Sequence, residues 1–232
     1  MTTAILATRN SKKLRELKRL TRGFSIHWLT LRDVPRLPAV VENGWTFAAN
    51  ARKKALAVAR AAGVVAVADD SGLEVDALDG APGVRSARYA GARASDAQNN
   101  RKLLRALASY PPARRGAQFR CCIAVASPDG RVATVEGRVR GRIAARLSGR
   151  TGFGYDSVFI IPRYGRTFAA LGPRIKDRMS HRARALRAAR PLILRALAST
   201  ETRAAGVPGR GVAAAARRTK TRNARPAAAA CR

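Results

Sequence analysis

The sequence is poor in acidic residues. It holds 14 Asp and Glu against 46 Lys and Arg, a formal net charge of +32. A surplus of this size usually indicates a polyanionic partner such as nucleic acid. Arginine, however, supplies 38 of the basic residues and alanine is abundant, a composition that a GC-rich coding bias would also produce. A solvated Arg-rich surface and a polyanion-binding surface therefore both stay open.

Cysteine, histidine and long apolar runs are also scarce. The three cysteines, Cys121, Cys122 and Cys231, form no Cys-x-x-Cys pair, and there are two histidines. This composition argues against a disulfide framework, a zinc finger and thiol catalysis. No run reaches the ~18 apolar residues of a membrane span, and residues 1–10 do not resemble a signal peptide. We therefore expect no membrane contact and a cytoplasmic protein.

The pattern along the chain predicts one α/β domain over residues 1–200 and a basic tail over 201–232. The tail holds 8 basic residues, 1 acidic residue and 11 alanines without apolar periodicity, which is typical of disorder. Its charge of +7 leaves +25 for the domain, so the excess is spread along the chain. The predicted strands are 4–7, 64–68, 73–77, 119–126, 131–142 and 158–161, and the predicted helices are 12–20, 47–62, 95–108 and 180–198.

Five of the 14 acidic residues lie within positions 69–79. Asp69 and Asp70 follow the predicted strand 64–68 directly, and Ser71 and Gly72 come next. Ligands of α/β sheets bind beyond the carboxyl ends of strands, so the two carboxylates could hold a hard cation such as Mg2+ or divide metal-binding and base roles. An Asx-type turn explains the same residues without a ligand.

Two further segments have the composition of ligand sites. The polar turn at residues 8–13 joins a strand to a helix start, which suits a phosphate, although no Walker loop is present. Phe153, Gly154, Tyr155 and Asp156 suit stacking on a base and hydrogen bonding to it. An ordinary basic helix start and a core-packing loop are the alternatives. His181 and Arg182 could together contact a purine edge or a phosphate.

Taken in order, these segments resemble the inosine triphosphate pyrophosphatase family, also called dITP/XTP pyrophosphatases. The resemblance covers about residues 3–198. Six motifs carry it: Thr8-Arg9-Asn10-Ser11-Lys12-Lys13, Phe47-Ala48-Ala49-Asn50-Ala51, Ala68-Asp69-Asp70-Ser71-Gly72-Leu73, Gly80-Ala81-Pro82-Gly83 with Ser86-Ala87-Arg88-Tyr89, Gly152-Phe153-Gly154-Tyr155-Asp156, and Ser180-His181-Arg182.

The resemblance implies an elongated α/β fold with a mixed central sheet flanked by helices, usually a homodimer. It implies Mg2+-dependent hydrolysis of deaminated purine nucleoside triphosphates (ITP, dITP, XTP) to the monophosphate and pyrophosphate, which removes them from the nucleotide pool.

The resemblance also implies roles for particular residues. Asp70 corresponds to the catalytic base near the metal, and Asp69 and Glu42 are further expected metal ligands. Glu42 follows Val41, where the family often has a second glutamate. The expected substrate contacts are Thr8, Asn10, Lys13, Ser71, Phe153, Gly154, Tyr155, Asp156, Lys176, His181 and Arg182.

Two alternatives to this function are kept. One is a pyrophosphatase of similar fold that acts on other modified nucleotides. The other is a basic nucleic-acid-binding module, which the net charge favours and the absence of an aromatic-basic RNA signature disfavours. In a mixed case, the tail would tether an enzyme to a polyanion.

Overall fold

A computed structural model describes residues 2–34, 37 and 40–205. The helices are α1 (Ser11–Leu20), α2 (Phe47–Ala62), α3 (Asp96–Ala106), α4 (Phe168–Met179) and α5 (His181–Ala205). The strands are β1 (Thr3–Leu6), β2 (His27–Thr30), β3 (Val65–Val75), β4 (Gly116–Ala126), β5 (Val132–Ile143), β6 (Phe159–Ile161) and β7 (Arg166–Thr167).

The described strands form one sheet in the order β2-β1-β3-β4-β5-β6-β7. β1 pairs in parallel with β2 and β3, and every later pair is antiparallel. The prediction of an α/β fold with a mixed central sheet and flanking helices is therefore confirmed.

Apolar side chains bury both faces of the sheet. Alternate residues of β1, β3 and β4 pack against α1 and α5 on one face, and their neighbours pack against α2 on the other. This alternation follows from the two-residue repeat of a strand. A second core lies farther along the sheet. It joins the C-terminal half of β3 and the N-terminal half of β4, called here their far halves, to β5, β6 and α3. The pairing of β1 with β3 ends at Leu6 opposite Val67, so β1 does not pair with this far half of β3.

Local signals in the sequence set the ends of α1 and α2. Asn10 caps α1, since its side-chain oxygen accepts from the backbone N–H groups of Lys12 and Lys13. Thr46 caps α2 as predicted, and Gly63 ends it in the left-handed conformation at φ +67°. Residues 128–130 form the predicted hairpin turn between β4 and β5.

The segment from Asp69 to Gly72 differs from the prediction. It is not a turn between two strands but lies inside β3, which pairs with β4 from Ala66 to Val75. The Asx-turn interpretation is therefore wrong. Polar residues are tolerated here because buried side chains on neighbouring elements hydrogen-bond Asp69 and Asp70.

Other differences concern short or interrupted elements. β2, β7 and α4 were not predicted, and α4 contains a kink at Gly172, where φ is +81°, followed by Pro173. α5 continues to Ala205, so the first five residues of the predicted tail are helical. The rest of the tail, 206–232, lies outside the described residues. Among the residues that are described, no helix has the length and apolar character to cross a bilayer.

Candidate active site

Two neighbouring cavities open beside β3, where its pairing with β1 has ended. The larger, of about 420 Å3, lies at the start of α1 and is lined by Thr8, Lys13, Glu42 and Asp70 among others. The smaller, of about 90 Å3, lies between β3, the 149–156 loop and the start of α5. Asn10, Lys13 and Ser71 line both cavities, so a single ligand could extend from one into the other.

The start of α1 forms the cationic wall of the larger cavity. Asn10 Oδ1 accepts from the helix start, which orients the side chain and leaves its Nδ2 group as a donor for a phosphate. Lys13 Nζ lies 3.2 Å from Asp69 Oδ2 and 3.8 Å from Asp70 Oδ1. The helix dipole and this lysine both favour an anion at the same place.

Asp70 projects from β3 toward α2. Its Oδ2 accepts from Asn50 Nδ2 at 3.0 Å, and its Oδ1 accepts from the backbone N–H of Ser71 at 3.0 Å. Burial raises the pKa of Asp70 above its ordinary value, although the charges of Lys13 and Lys54 oppose the shift. A more basic carboxylate with 7% of the residue exposed is suited to accept a proton inside the cavity.

Asp69, although adjacent, is held by different groups. Consecutive strand residues point to opposite faces, and Asp69 Oδ2 accepts from Arg182 Nε and Nη2 at 3.1 and 3.0 Å. Burial would raise the pKa of Asp69, but the charges of Lys13, Arg182 and Lys54 outweigh burial and lower it. Asp69 Oδ2 is thus a counter-ion of Arg182, whereas Asp69 Oδ1 has no hydrogen-bond partner among the described residues, and the role of Asp69 as a metal ligand stays a prediction.

Glu16 on α1 joins the two cations of the smaller cavity. Its carboxylate binds Arg182 Nη1 and lies 3.1 Å from Lys176 Nζ. Lys176 in turn donates to Asp156 Oδ2 at 2.6 Å. Burial raises the pKa of Glu16, but the charges of Arg182 and Lys176 lower it, and the net pKa lies below its ordinary value. Asp156, Lys176, Glu16, Arg182 and Asp69 therefore form a buried chain of alternating charge.

Arg182 has little hydrogen-bonding capacity left for a ligand. Four of its five N–H donors are engaged, because Nη2 also donates to Ser71 Oγ at 2.7 Å. One hydrogen on Nη1 is left among the described contacts. Arg182 lines the smaller cavity as expected, and most of its charge is balanced by Asp69 and Glu16.

The 149–156 loop wraps around Asp156. Asp156 Oδ2 accepts from the backbone N–H of Phe153 at 2.8 Å, and burial raises its pKa although Lys176 opposes this. The Phe153 ring covers Lys176, whose Nζ lies 4.5 Å from the ring centroid. Gly154 donates its backbone N–H to Asp96, and Tyr155 donates its hydroxyl to the Ser86 carbonyl.

His181 closes the smaller cavity at the first residue of α5. Its ring stacks on Phe119 with centroids 4.7 Å apart. Burial, together with the charges of Arg182 and Lys176, holds the pKa of His181 well below its ordinary value, so the imidazole is neutral at pH 7. Its Nδ1 has no hydrogen-bond partner among the described residues. A neutral ring with such a nitrogen is able to bond to a ligand.

The donor set of the larger cavity fits a magnesium ion. Glu42 and Asp70 both line it, and Lys54 Nζ lies between them, 2.9 Å from Glu42 Oε2 and 3.8 Å from Asp70 Oδ1. Burial lowers the pKa of Lys54, but the charges of Asp69, Asp70 and Glu42 raise it, and the net pKa lies above its ordinary value. The described residues contain no group of three metal-binding side chains. Mg2+ usually needs only one or two carboxylates, with waters and substrate phosphates as further ligands.

Three side chains of this site were not predicted from the sequence: Glu16, Asn50 and Lys54. Asn50 belongs to a quoted motif, but no role was assigned to it. Glu16 has a weak signal, since it is the single acidic residue of α1 and shares the helix face of Leu17 and Leu20. Lys54 has none, because surface lysines of the same helix look alike in the sequence.

The fold and the two cavities define an α/β protein with a built site for an anionic ligand. A sequence profile of the Ham1 family matches residues 4–192, and the chain belongs to this family. It is 49% identical over 201 residues to a dITP/XTP pyrophosphatase of Rhodopirellula baltica, covering 86% of this chain and 97% of that one. A dITP/XTP pyrophosphatase of Geobacter sulfurreducens is 50% identical over 186 residues, covering 80% and 94%. The family resemblance is thereby confirmed.

Solved structures agree. A HAM1 protein from Coxiella burnetii superimposes with a TM-score of 0.76 at 38% identity, covering 84% of this chain and all of that one. A nucleoside-triphosphatase, named dITP/XTP pyrophosphatase, from Mycobacterium abscessus superimposes with a TM-score of 0.66 at 45% identity, covering 80% and 96%.

Proposed function

We propose that this protein hydrolyses deaminated purine nucleoside triphosphates (ITP, dITP and XTP) to the monophosphate and pyrophosphate, and so keeps them out of DNA and RNA. The main support is the pairing of a cationic, carboxylate-bearing cavity with an aromatic-lined one, joined at Asn10, Lys13 and Ser71. The relatives named dITP/XTP pyrophosphatase support the same substrates.

The larger cavity suits the triphosphate. Thr8, Asn10 and Lys13 would hold the phosphates against the start of α1. Asp70 would take a proton from water as the water oxygen bonds to the α-phosphorus, while the bond from that phosphorus to the bridging oxygen breaks and pyrophosphate leaves. Mg2+ held by Glu42 and Asp70 would neutralise phosphate charge. Asp69 would serve this site by holding Arg182.

The smaller cavity suits the purine. Phe153 would stack on the base, with Gly154 and Tyr155 shaping the pocket and Asp156 accepting from ring N–H groups. Lys176, His181 and the remaining Nη1 hydrogen of Arg182 would face the edge that carries the 6-oxo group. These donors would match a carbonyl and mismatch the amino group of adenine, which would discriminate against ATP.

Three further properties belong to this proposal on the strength of the family resemblance: dependence on Mg2+, assembly as a homodimer, and a cytoplasmic location. The donor chemistry of Glu42 and Asp70 supports the first. Cys121 and Cys122, which are buried free thiols, are compatible with a reducing compartment.

Pyrophosphate release from a panel of ITP, XTP, dITP, GTP and ATP with Mg2+ tests the function. We expect release from the first three, little from ATP, and a loss of at least about 100-fold in Asp70→Asn. Asp129→Asn, in the exposed hairpin turn, is the matched control and should keep full activity. Preference for ATP, or no release from any substrate, would contradict the proposal.

A further inference from the structure

Asn50, in the first turn of α2, is a buried amide that the proposed chemistry does not use directly. It is 2% exposed. The cap of α2 is provided by Thr46 Oγ1, which accepts from the backbone N–H of Ala49 at 3.1 Å. Asparagine is also a weak helix former. The helix therefore gives no reason for an amide at this position.

All the side-chain contacts of Asn50 lead to the site. Nδ2 donates to Asp70 Oδ2 at 3.0 Å, and Oδ1 accepts from the backbone N–H of Gly44 at 2.8 Å. Nδ2 also lies 3.4 Å from the Gly44 carbonyl oxygen. The carboxylate fixes the orientation of the amide, because the flipped amide would face Asp70 with its oxygen.

These contacts connect the two carboxylates that fit Mg2+. Asp70 lies on a rigid central strand, whereas Glu42 lies on a segment without regular structure, two residues before Gly44. Among the described residues, Asn50 is the one side chain that donates a hydrogen bond to Asp70, since Lys13 Nζ and Lys54 Nζ both lie 3.8 Å from it. Its bond to Oδ2 leaves Oδ1 turned toward Lys13 and Lys54 in the larger cavity.

Gly44 shows how closely the segment approaches the amide. A Cβ at this position would lie 2.7 Å from Asn50 Oδ1 and 3.0 Å from the Ala49 Cβ. Any larger residue would push the amide or the Glu42 segment away. The glycine and the asparagine therefore form one contact that requires both residues.

We propose that Asn50 is a positioning residue that holds Asp70 and the Glu42 segment in a common geometry for the metal. This inference rests on the proposed function. Residues that orient metal ligands typically contribute 10 to 100-fold to metal affinity or activity, about the effect expected here.

The first experiment compares Asn50→Leu, which keeps the volume and removes every hydrogen bond, with Thr46→Ala, which weakens the same helix end by about 1 kcal/mol. For Asn50→Leu we expect kcat to fall and the half-saturating Mg2+ concentration to rise about 10 to 100-fold. KM for ITP at saturating Mg2+ should change by less than about twofold. Thr46→Ala should melt earlier but retain kcat and the wild-type Mg2+ requirement.

A second pair of variants approaches the same contact from the backbone. Gly44→Ala should raise the Mg2+ requirement as Asn50→Leu does, because its Cβ displaces the amide. Gly23→Ala, where an added Cβ meets nothing within 4 Å, is the control. This pair also decides the question if Asn50→Leu fails to fold.

A binding measurement separates this inference from the function. The melting temperature is followed against Mg2+ in the presence of an ITP analogue with a methylene group between the α- and β-phosphates. Absence of pyrophosphate release by the wild type would overturn the function alone, and the Mg2+-dependent shift would still test Asn50. An unchanged Mg2+ midpoint in Asn50→Leu or Gly44→Ala, an equal change in Thr46→Ala, or no shift in the wild type would overturn the role of Asn50.

Discussion

Glu16 Oε1 lies 3.1 Å from Lys176 Nζ in the interior of the protein, and the other oxygen of the same carboxylate binds Arg182. The two cations belong to different helices, α4 and α5, while Glu16 belongs to α1. One buried carboxylate thus orders three helices around the smaller cavity. Its removal takes one of two carboxylate partners from each buried cation and leaves Lys176 with Asp156 and Arg182 with Asp69, which is more costly than the loss of a surface ion pair.

Glu16→Gln is therefore expected to lower the free energy of unfolding by about 1.5 to 3 kcal/mol, the usual contribution of a hydrogen bond to a charged group. The variant keeps the shape of the side chain and removes its charge. Urea denaturation at pH 7.5 measures the change. Asp129→Asn, which breaks the exposed pair with Arg131, should change stability by less than about 1 kcal/mol. Equal losses in the two variants would contradict the importance of the buried pair.

The neutral His181 predicts a dependence of stability on pH. Because its pKa is lowered on folding, the unfolded chain binds a proton at higher pH than the folded protein does. The stabilisation is complete above the unfolded pKa of about 6.5 and is lost as the pH falls, with a slope of up to about 1.4 kcal/mol per pH unit. We expect the unfolding free energy to decrease from pH 7.5 to 5.5.

Replacement of each histidine isolates this effect. His181→Gln should flatten the decrease between pH 7.5 and 5.5, measured by urea denaturation at each pH. His27→Gln, at an exposed position on β2, should keep the wild-type slope. If both variants follow the wild-type curve, carboxylates and not His181 determine the acid sensitivity.

Gly152 is expected to tolerate no side chain. Its φ is +81°, and a Cβ would lie 2.1 Å from Asp156 Oδ2. Gly152→Ala should therefore displace Asp156 and raise KM for ITP about 10 to 100-fold, as the loss of a hydrogen bond to a charged group does. Gly165→Ala shares the backbone strain at φ +59° without a clash and should cost stability but leave KM unchanged. A similar KM in the two variants would refute the argument.

Local signals were sufficient for much of the fold. Thr46 and Gly63 bracket α2 because caps depend on neighbouring residues, and the hairpin of β4 and β5 follows from its turn residues and alternation. The kink at Gly172 and Pro173 hid α4, since these residues normally end a helix. β7, with two residues, is too short for any periodicity.

The residues predicted as substrate contacts all line the two cavities, but their arrangement and the side chains of Glu16, Asn50 and Lys54 were not predicted. Asp69 and Asp70 read as a turn because strands rarely hold two adjacent carboxylates. Their pairing with β4 and the ion pair to Arg182 involve residues more than fifty positions away. Glu16 is 166 residues from Arg182 in the chain, and no local sequence pattern predicts a contact over this separation.

The placement of Asp69 and Asp70 on opposite faces of β3 has a consequence for how the protein tolerates change. Asp69 and Asp70 are adjacent in the chain, yet Asp69 binds Arg182 of α5 and Asp70 binds Asn50 of α2. A slip of β3 by a single residue would exchange the two faces, so that Asp69 would lose Arg182 and Asp70 would lose Asn50 at the same time. Length changes in the family should therefore collect in the loops that border the cavities, and the spacing between Val65 and Val75 should be invariant.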